Sequence, residues 1–143
     1  MITTFPAHGE FTIRAHGHAI RVDALGPWNL ECTFDYVHKL RTYMQNALGP
    51  FCVLMISHHQ PILGLDGEEV LRVSVRERVR LGCAAQATVL LDPLTIEVAR
   101  AQYKRVYEPE GLNHEIFQAT APATQWLLDK GFPDISELCR DLA

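Results

Sequence analysis

Apolar and polar positions along the chain switch repeatedly between a period of two and a period near 3.6. Phe11, Ile13 and Ala15 alternate with Thr12 and Arg14, and Ile20, Val22 and Ala24 alternate with Arg21 and Asp23. Two half-buried strands follow, with His16-Gly17-His18 as the turn of a hairpin. Gly26-Pro27 ends the second strand. Asn29 then stands where it can cap a helix whose first turn carries Glu31 at the positive end of the dipole. Leu30, Phe34, Val37, Met44 and Leu48, widened by Leu40, give that helix an apolar stripe as far as Gly49-Pro50.

Phe51 to Ile56 is a continuous apolar run of strand length, the pattern of a central strand buried on both faces. Ser57, His58, His59, Gln60 and Pro61 read as the loop after it. From Leu71 to Arg76 the alternation is strand-like, yet Asp66 and Glu69 have capping-box spacing, Leu71, Val75 and Val79 recur at helical spacing, and Gly82 supplies a stop. A helix from about Gly67 to Leu81 is the reading that satisfies all three. Ala84 to Leu91 is a second buried strand. Asp92-Pro93 reads as a cap with proline at the first helical position, ahead of a stripe of Ile96, Ala99, Tyr103 and Val106. A last strand runs from about Asn113 to Gln118. Thr120 precedes a short helix with Ala123, Trp126 and Leu127, and Asp134 can cap a further helix over 134–143 with Ile135, Leu138 and Leu142 on one side.

The order is β-β-α-β-α-β-α-β-α, which predicts an α/β domain with a mixed sheet of about five strands and helices packed on it. At 143 residues, the chain fits one domain able to bury roughly 70% of its unfolded surface without a disulfide or metal. Net charge is −4, so neither nucleic acid nor an anionic membrane is an expected partner, since both call for clustered Lys and Arg. No segment approaches the length of a membrane span, and Met1-Ile2-Thr3-Thr4-Phe5-Pro6 lacks the basic and apolar regions of a secretory leader. The expected compartment is the cytoplasm. Cys32, Cys52, Cys83 and Cys139 are scattered without a C-x-x-C pair, which suits buried thiols better than a disulfide framework or zinc site.

At this point a resemblance becomes specific. The hairpin followed by alternating helices and strands, with Glu115-Ile116-Phe117 leading to Ala123-Thr124-Gln125-Trp126-Leu127 and Gly131-Phe132, resembles the SpoIIAA-like branch of the STAS domains, the sulfate transporter and anti-sigma factor antagonist fold. Gly26-Pro27-Trp28-Asn29-Leu30 is similar to a subset of small bacterial SpoIIAA-like proteins without an assigned activity. The likeness spans about Gly9 to Phe132 and implies the STAS fold. It departs at one place. Anti-sigma factor antagonists carry an Asp-Ser-Ser-Gly type segment after the third strand, whose phosphorylated Ser controls partner binding. Here the region reads Ser57-His58-His59-Gln60-Pro61-Ile62-Leu63-Gly64-Leu65-Asp66-Gly67. A phosphate on Ser57 would not sit on the helix N-terminus, so a phosphorylation-switched antagonist is not expected.

Among candidates for chemistry, adjacent side chains such as His58 and His59 diverge in an extended segment and lack an i, i+4 partner, so no metal site or cofactor is expected there. His16 and His18 read as turn residues and His114 as structural. Arg72, Arg76 and Arg80 form a basic ridge with Arg78 nearby, and Glu68, Glu69 and Glu77 can pair with it. Tyr103 and Tyr107 read as core and rim. Cys52 and Cys83 lie in apolar strands where thiolates are disfavoured. What remains is the end of the sheet beyond the carboxyl ends of the strands, where ligands of open α/β sheets bind. That end gathers Trp28, Asn29, Ser57, His58, His59, Gln60 and Asp92 as candidate binding residues. Trp28 is either a pocket wall or a hydrophobic plug over the hairpin. Two function classes stay open. One is a non-enzymatic binding or regulatory module for a protein partner or a small apolar ligand; SpoIIAA-like proteins have been likened to the CRAL-TRIO lipid-transfer fold. The other is a small enzyme built on His58, His59 and Asp92. The C-terminal stripe is expected to dock on its own domain or on a second copy in a homodimer.

Overall fold

The computed structural model describes residues 9–142; the Met1 to Pro6 segment lies outside them. The elements are β1 (Glu10–His16), β2 (Ala19–Leu25), α1 (Leu30–Gln45), β3 (Phe51–His59), α2 (Leu65–Leu81), β4 (Cys83–Leu90), α3 (Ile96–Tyr107), a 3-10 turn (Glu108–Glu110), β5 (His114–Phe117), α4 (Thr120–Asp129) and α5 (Ile135–Leu138). The chain is α/β, with one five-stranded mixed sheet in the order β1-β2-β3-β4-β5. β1 pairs antiparallel with β2, and every later pair is parallel.

Because the strand order never reverses, three right-handed crossovers must lay α1, α2 and α3 on the same face. The packing follows. Ile20, Val22 and Ala24 of β2 and Val53 and Met55 of β3 meet Tyr36, Leu40 and Met44 of α1, Leu71 and Val75 of α2, and Ala99, Tyr103 and Val106 of α3. The alternate residues Ala19, Cys52, Leu54, Ile56, Ala85, Ala87 and Val89 face the other way, onto Ala123, Leu127, Phe132, Ile135 and Leu138. Burial on both faces is what the unbroken apolar run of β3 required, each large aliphatic contributing roughly 1.5–3 kcal/mol. Ile135 and Leu138 are buried on this chain's own sheet, so that stripe is already occupied. Arg21, 3% exposed, reaches under the C-terminal turn to the Leu138 carbonyl at 2.7 Å and to Asp141 at 2.6 Å.

Several boundaries differ from the sequence reading, each for a local reason. β3 runs on through Ser57, His58 and His59, because β2 and β4 continue beside it and pair with Ser57. These three residues are therefore strand, and the loop starts at Gln60. The buried stripe of α1 is Cys32, Thr33, Tyr36, Leu40 and Met44, while Phe34 is 51% and Leu48 90% exposed. Tyr36 takes the inward position that Phe34 was expected to hold, because its hydroxyl has a buried partner. α2 starts at Leu65 with Gly64 as its cap, so Asp66 is not a capping residue. α3 starts only at Ile96. The Asp92 carboxylate instead accepts the Leu94 N–H at 3.1 Å and closes a turn around Pro93. Thr120 is the first residue of α4 and not its cap, and Asp134 bonds the His18 N–H at 2.8 Å rather than its own helix.

Candidate functional site

At the carboxyl ends of β2 and β3, on the face covered by α1 to α3, a narrow crevice opens beside Trp28. Its floor is Ala24, Met55 and Ser57 of the sheet; Thr33 and Tyr36, Leu71, and Tyr103 and Tyr107 come from the three helices. Gly26, Gln60, Pro61 and Leu63 complete the rim. The enclosed space is about 20 Å³, room for about one water. Trp28 packs tilted on Tyr36 at 5.1 Å and edge-on to Phe11 at 5.7 Å, and its indole N–H donates to the Glu10 carbonyl at 3.1 Å. It is thus both wall and cover: partly buried, held at its outer edge by one hydrogen bond and on its inner face by two rings.

The rim is built from close backbone contacts. The Gly26 N–H donates to the His59 carbonyl at 2.8 Å, and a Cβ on Gly26 would lie 2.1 Å from the Gln60 carbonyl oxygen, so only glycine passes there. Gln60 itself is left-handed, with φ of 40°, and the Asp92 carboxylate holds its N–H at 3.2 Å. The Leu94 N–H, against the opposing effect of burial and with help from the Gln60 N–H, keeps the Asp92 carboxyl below its usual range. Asp92 therefore braces the turn that carries Gln60. Tyr103 donates its hydroxyl to the Pro61 carbonyl at 2.9 Å, and Gln102 bonds both the N–H and the carbonyl of Leu63. The connection between β3 and α2 is fastened to α3 at three points.

Of the seven candidate residues, the structure gathers Trp28, Ser57 and Gln60 on the crevice. Asn29 caps α1 through its Oδ1, which accepts the Cys32 N–H at 3.0 Å, and borders a shallower recess next door. Ser57 is 2% exposed, its hydroxyl side inside the crevice wall. His58 points to the opposite face of the sheet and donates from Nε2 to Asp23 at 2.8 Å. Burial works to raise Asp23, but hydrogen bonds from Arg21 and His58 outweigh it and hold that carboxyl low. His59 lies 3.9 Å from Asp92 at the exposed strand end. The pairing of His58, His59 and Asp92 into one site is thus not what the strand geometry produces, because consecutive strand residues face opposite ways.

The basic ridge resolves into ion pairs: Arg72 with Glu68 and Glu69, Arg76 with Glu110, Arg80 with Glu77. Arg78 does not belong to it. Its side chain is fully buried beneath the crevice, donating to Gln86 at 2.7 Å, Tyr107 at 2.8 Å, and Tyr36 and Ser74 at 3.2 Å. Gln86 passes the chain on, from Nε2 to the Tyr107 and Thr88 oxygens, and Thr88 meets His114 Nε2 at 2.7 Å. His114 stacks on Tyr107, ring centres 4.0 Å apart. Burial, with the Arg78 charge behind it, pushes His114 down to about 3, so the ring is neutral and Thr88 can donate to Nε2. Sequence reading missed Arg78, Tyr36 and Gln86. The signal was present: Arg78 stands at i+7 from Leu71 and i+3 from Val75, on the buried stripe, and Gln86 interrupts the apolar run of β4.

Burial pushes the Cys32 thiol up to about 11, Cys52 to about 12 and Cys83 to about 11, which leaves them as packing groups. Among the described residues no cluster of three or more His, Cys, Asp or Glu side chains is arranged to hold a metal ion, and no helix is long and apolar enough to cross a membrane. In comparisons with known proteins, no family model, curated protein or solved structure matches the chain.

Proposed function

We propose that this chain is a SpoIIAA-like, STAS-type binding or regulatory module that acts without catalysis and takes a small, largely apolar ligand into the crevice beside Trp28. The observation that carries the reading is the lining: Ala24, Met55, Leu63, Leu71 and the rings of Trp28, Tyr36, Tyr103 and Tyr107 converge on one opening at the carboxyl ends of the strands. Apolar walls with a few placed polar groups, here Thr33, Ser57 and Gln60, are what small-molecule sites are made of. The resemblance in element order and in the segments around Trp28 and Trp126 supports the family placement. The buried position of Ser57 supports a module that is not phospho-switched. Of the two partner classes expected, a protein or a small ligand, the crevice favours the ligand.

The space is small as it stands, so binding requires Trp28 to swing outward. The test is a titration with decan-1-ol followed by methyl NMR on protein labelled at its Met methyl groups. Met55 lines the crevice and Met44 is packed deeper under α1. A saturable shift of the Met55 signal with Met44 unmoved is expected; saturating alcohol without a Met55 shift refutes the reading.

A further inference from the structure

The two buried arginines are built differently. Arg21 has the carboxylates of Asp23 and Asp141 within 2.8 Å. Arg78, more deeply buried, bonds only neutral groups: an amide, two phenols and a hydroxyl. A guanidinium stays charged in a protein, and a buried charge normally demands an opposite one. Of the four acidic residues of its own helix, Asp66 stands in the first turn, three turns away, and Glu68, Glu69 and Glu77 are bonded instead to Arg72, Arg105, Arg41 and Arg80.

The hydrogen-bond count has the same bias. Every bond from Arg78 is a donation, and its Nε–H has no acceptor among the described residues. The Tyr107 oxygen accepts from both Arg78 and Gln86, and the Tyr36 oxygen accepts from Arg78. The proton of each phenol has no acceptor among the described contacts. The cluster is short of acceptors and carries one positive charge, and the two tyrosines whose hydroxyls face this surplus are also lining residues of the crevice.

We propose that the Tyr36 and Tyr107 hydroxyls, backed by the Arg78 guanidinium, form the head-group subsite of the crevice and receive a carboxylate carried on an unbranched apolar chain. This rests on the crevice reading and specifies its ligand as an amphiphilic monoanion. The phenols donate directly to the carboxylate, as charge-assisted hydrogen bonds. Arg78 compensates its charge from one layer behind, and Met55, Leu63, Leu71 and the Trp28 ring take the chain. Burial keeps both Tyr36 and Tyr103 protonated, so Tyr36 remains a donor at neutral pH.

The experiment compares decanoate with decan-1-ol at pH 7.5, both below aggregation, by the Met55 methyl shift of the full chain. Decanoate should bind at least about tenfold more tightly than the alcohol, about 1.4 kcal/mol. Tyr36→Phe, which keeps the ring in its aromatic cluster, and Tyr107→Phe should each weaken decanoate by a larger factor than decan-1-ol and so abolish most of that preference. Should Tyr107→Phe fail to fold, Tyr36→Phe alone decides. Equal affinity for both ligands, or a decanoate preference that survives the Phe variants, overturns the head-group subsite and leaves the crevice reading standing. Saturating amounts of either ligand without a Met55 shift overturn both.

Discussion

Acidifying the protein from pH 7 to pH 5 should cost it about 2 kcal/mol through a single ring. His114 is stacked on Tyr107, bonded to Thr88 and held neutral by burial and by the Arg78 charge, so that its value falls from 6.5 to about 3. In the unfolded chain the ring takes up a proton as the pH drops through 6.5, whereas in the folded chain it stays neutral until about 3. The depressed value therefore stabilises the fold fully above pH 6.5, and the contribution drains away as the pH falls. At pH 5 the unfolded ring is about 1.5 units below its midpoint, which at about 1.36 kcal/mol per unit gives about 2 kcal/mol. That figure needs the folded value only to lie well under 5. Urea unfolding at the two pH values, in wild type and in His114→Gln, isolates it, because the other six histidines are common to both proteins. Wild type should lose about 2 kcal/mol more than the variant between pH 7 and pH 5. Identical losses in the two proteins would mean that the ring is not held neutral, and the assigned Thr88-to-Nε2 donation would go with it.

Three further outcomes follow from particular contacts. Gly26→Ala places a Cβ 2.1 Å from one backbone carbonyl oxygen and 2.7 Å from a second, so the urea midpoint should drop by the equivalent of about 2 kcal/mol or more; a neutral substitution would show that the rim yields freely. Arg21→Met removes the bonds to Asp23, Asp141 and the Leu138 carbonyl, and should cost about 3 kcal/mol. Amide exchange in α5 should quicken more than in α2, and uniform quickening would contradict a local fastening. In a thiol-labelling assay on native protein, Cys139 should react first as the partly exposed thiol, with Cys32, Cys52 and Cys83 protected; labelling of those three at the rate of Cys139 would refute their burial.

Periodicity together with turn and stop signals such as Gly49-Pro50 and Gly82 was enough to place the strands and α-helices to within a few residues, but not the 3-10 turn at Glu108–Glu110. It misplaced the inward face of α1 because hydrophobicity alone ranks Phe34 above Tyr36, and only the buried hydroxyl partner reverses that order. Arg78 was assigned to the surface for the same reason: a charge is counted as solvated until neutral partners from three other elements are seen around it. The gathering of Trp28, Ser57 and Gln60 around one crevice at the carboxyl ends of the strands was legible. The divergence of His58 from His59 was also read, but their place in β3 rather than in a loop was not, because the strand continues three residues past its apolar run, which the neighbouring strands decide.

The unreversed strand order also sets a timetable for the chain as it is made. With α1, α2 and α3 all on one side, the face carrying Cys52, Leu54, Ile56, Ala85, Ala87 and Val89 has no cover until the segment from Thr120 to Leu138 has been synthesised. A ribosome-bound chain ending at β5 would thus present a finished sheet with a bare apolar side. Such exposed surface is what drives aggregation of incomplete folds. The short α4 and α5 segments, which add little helix of their own, are what covers that side once they are made.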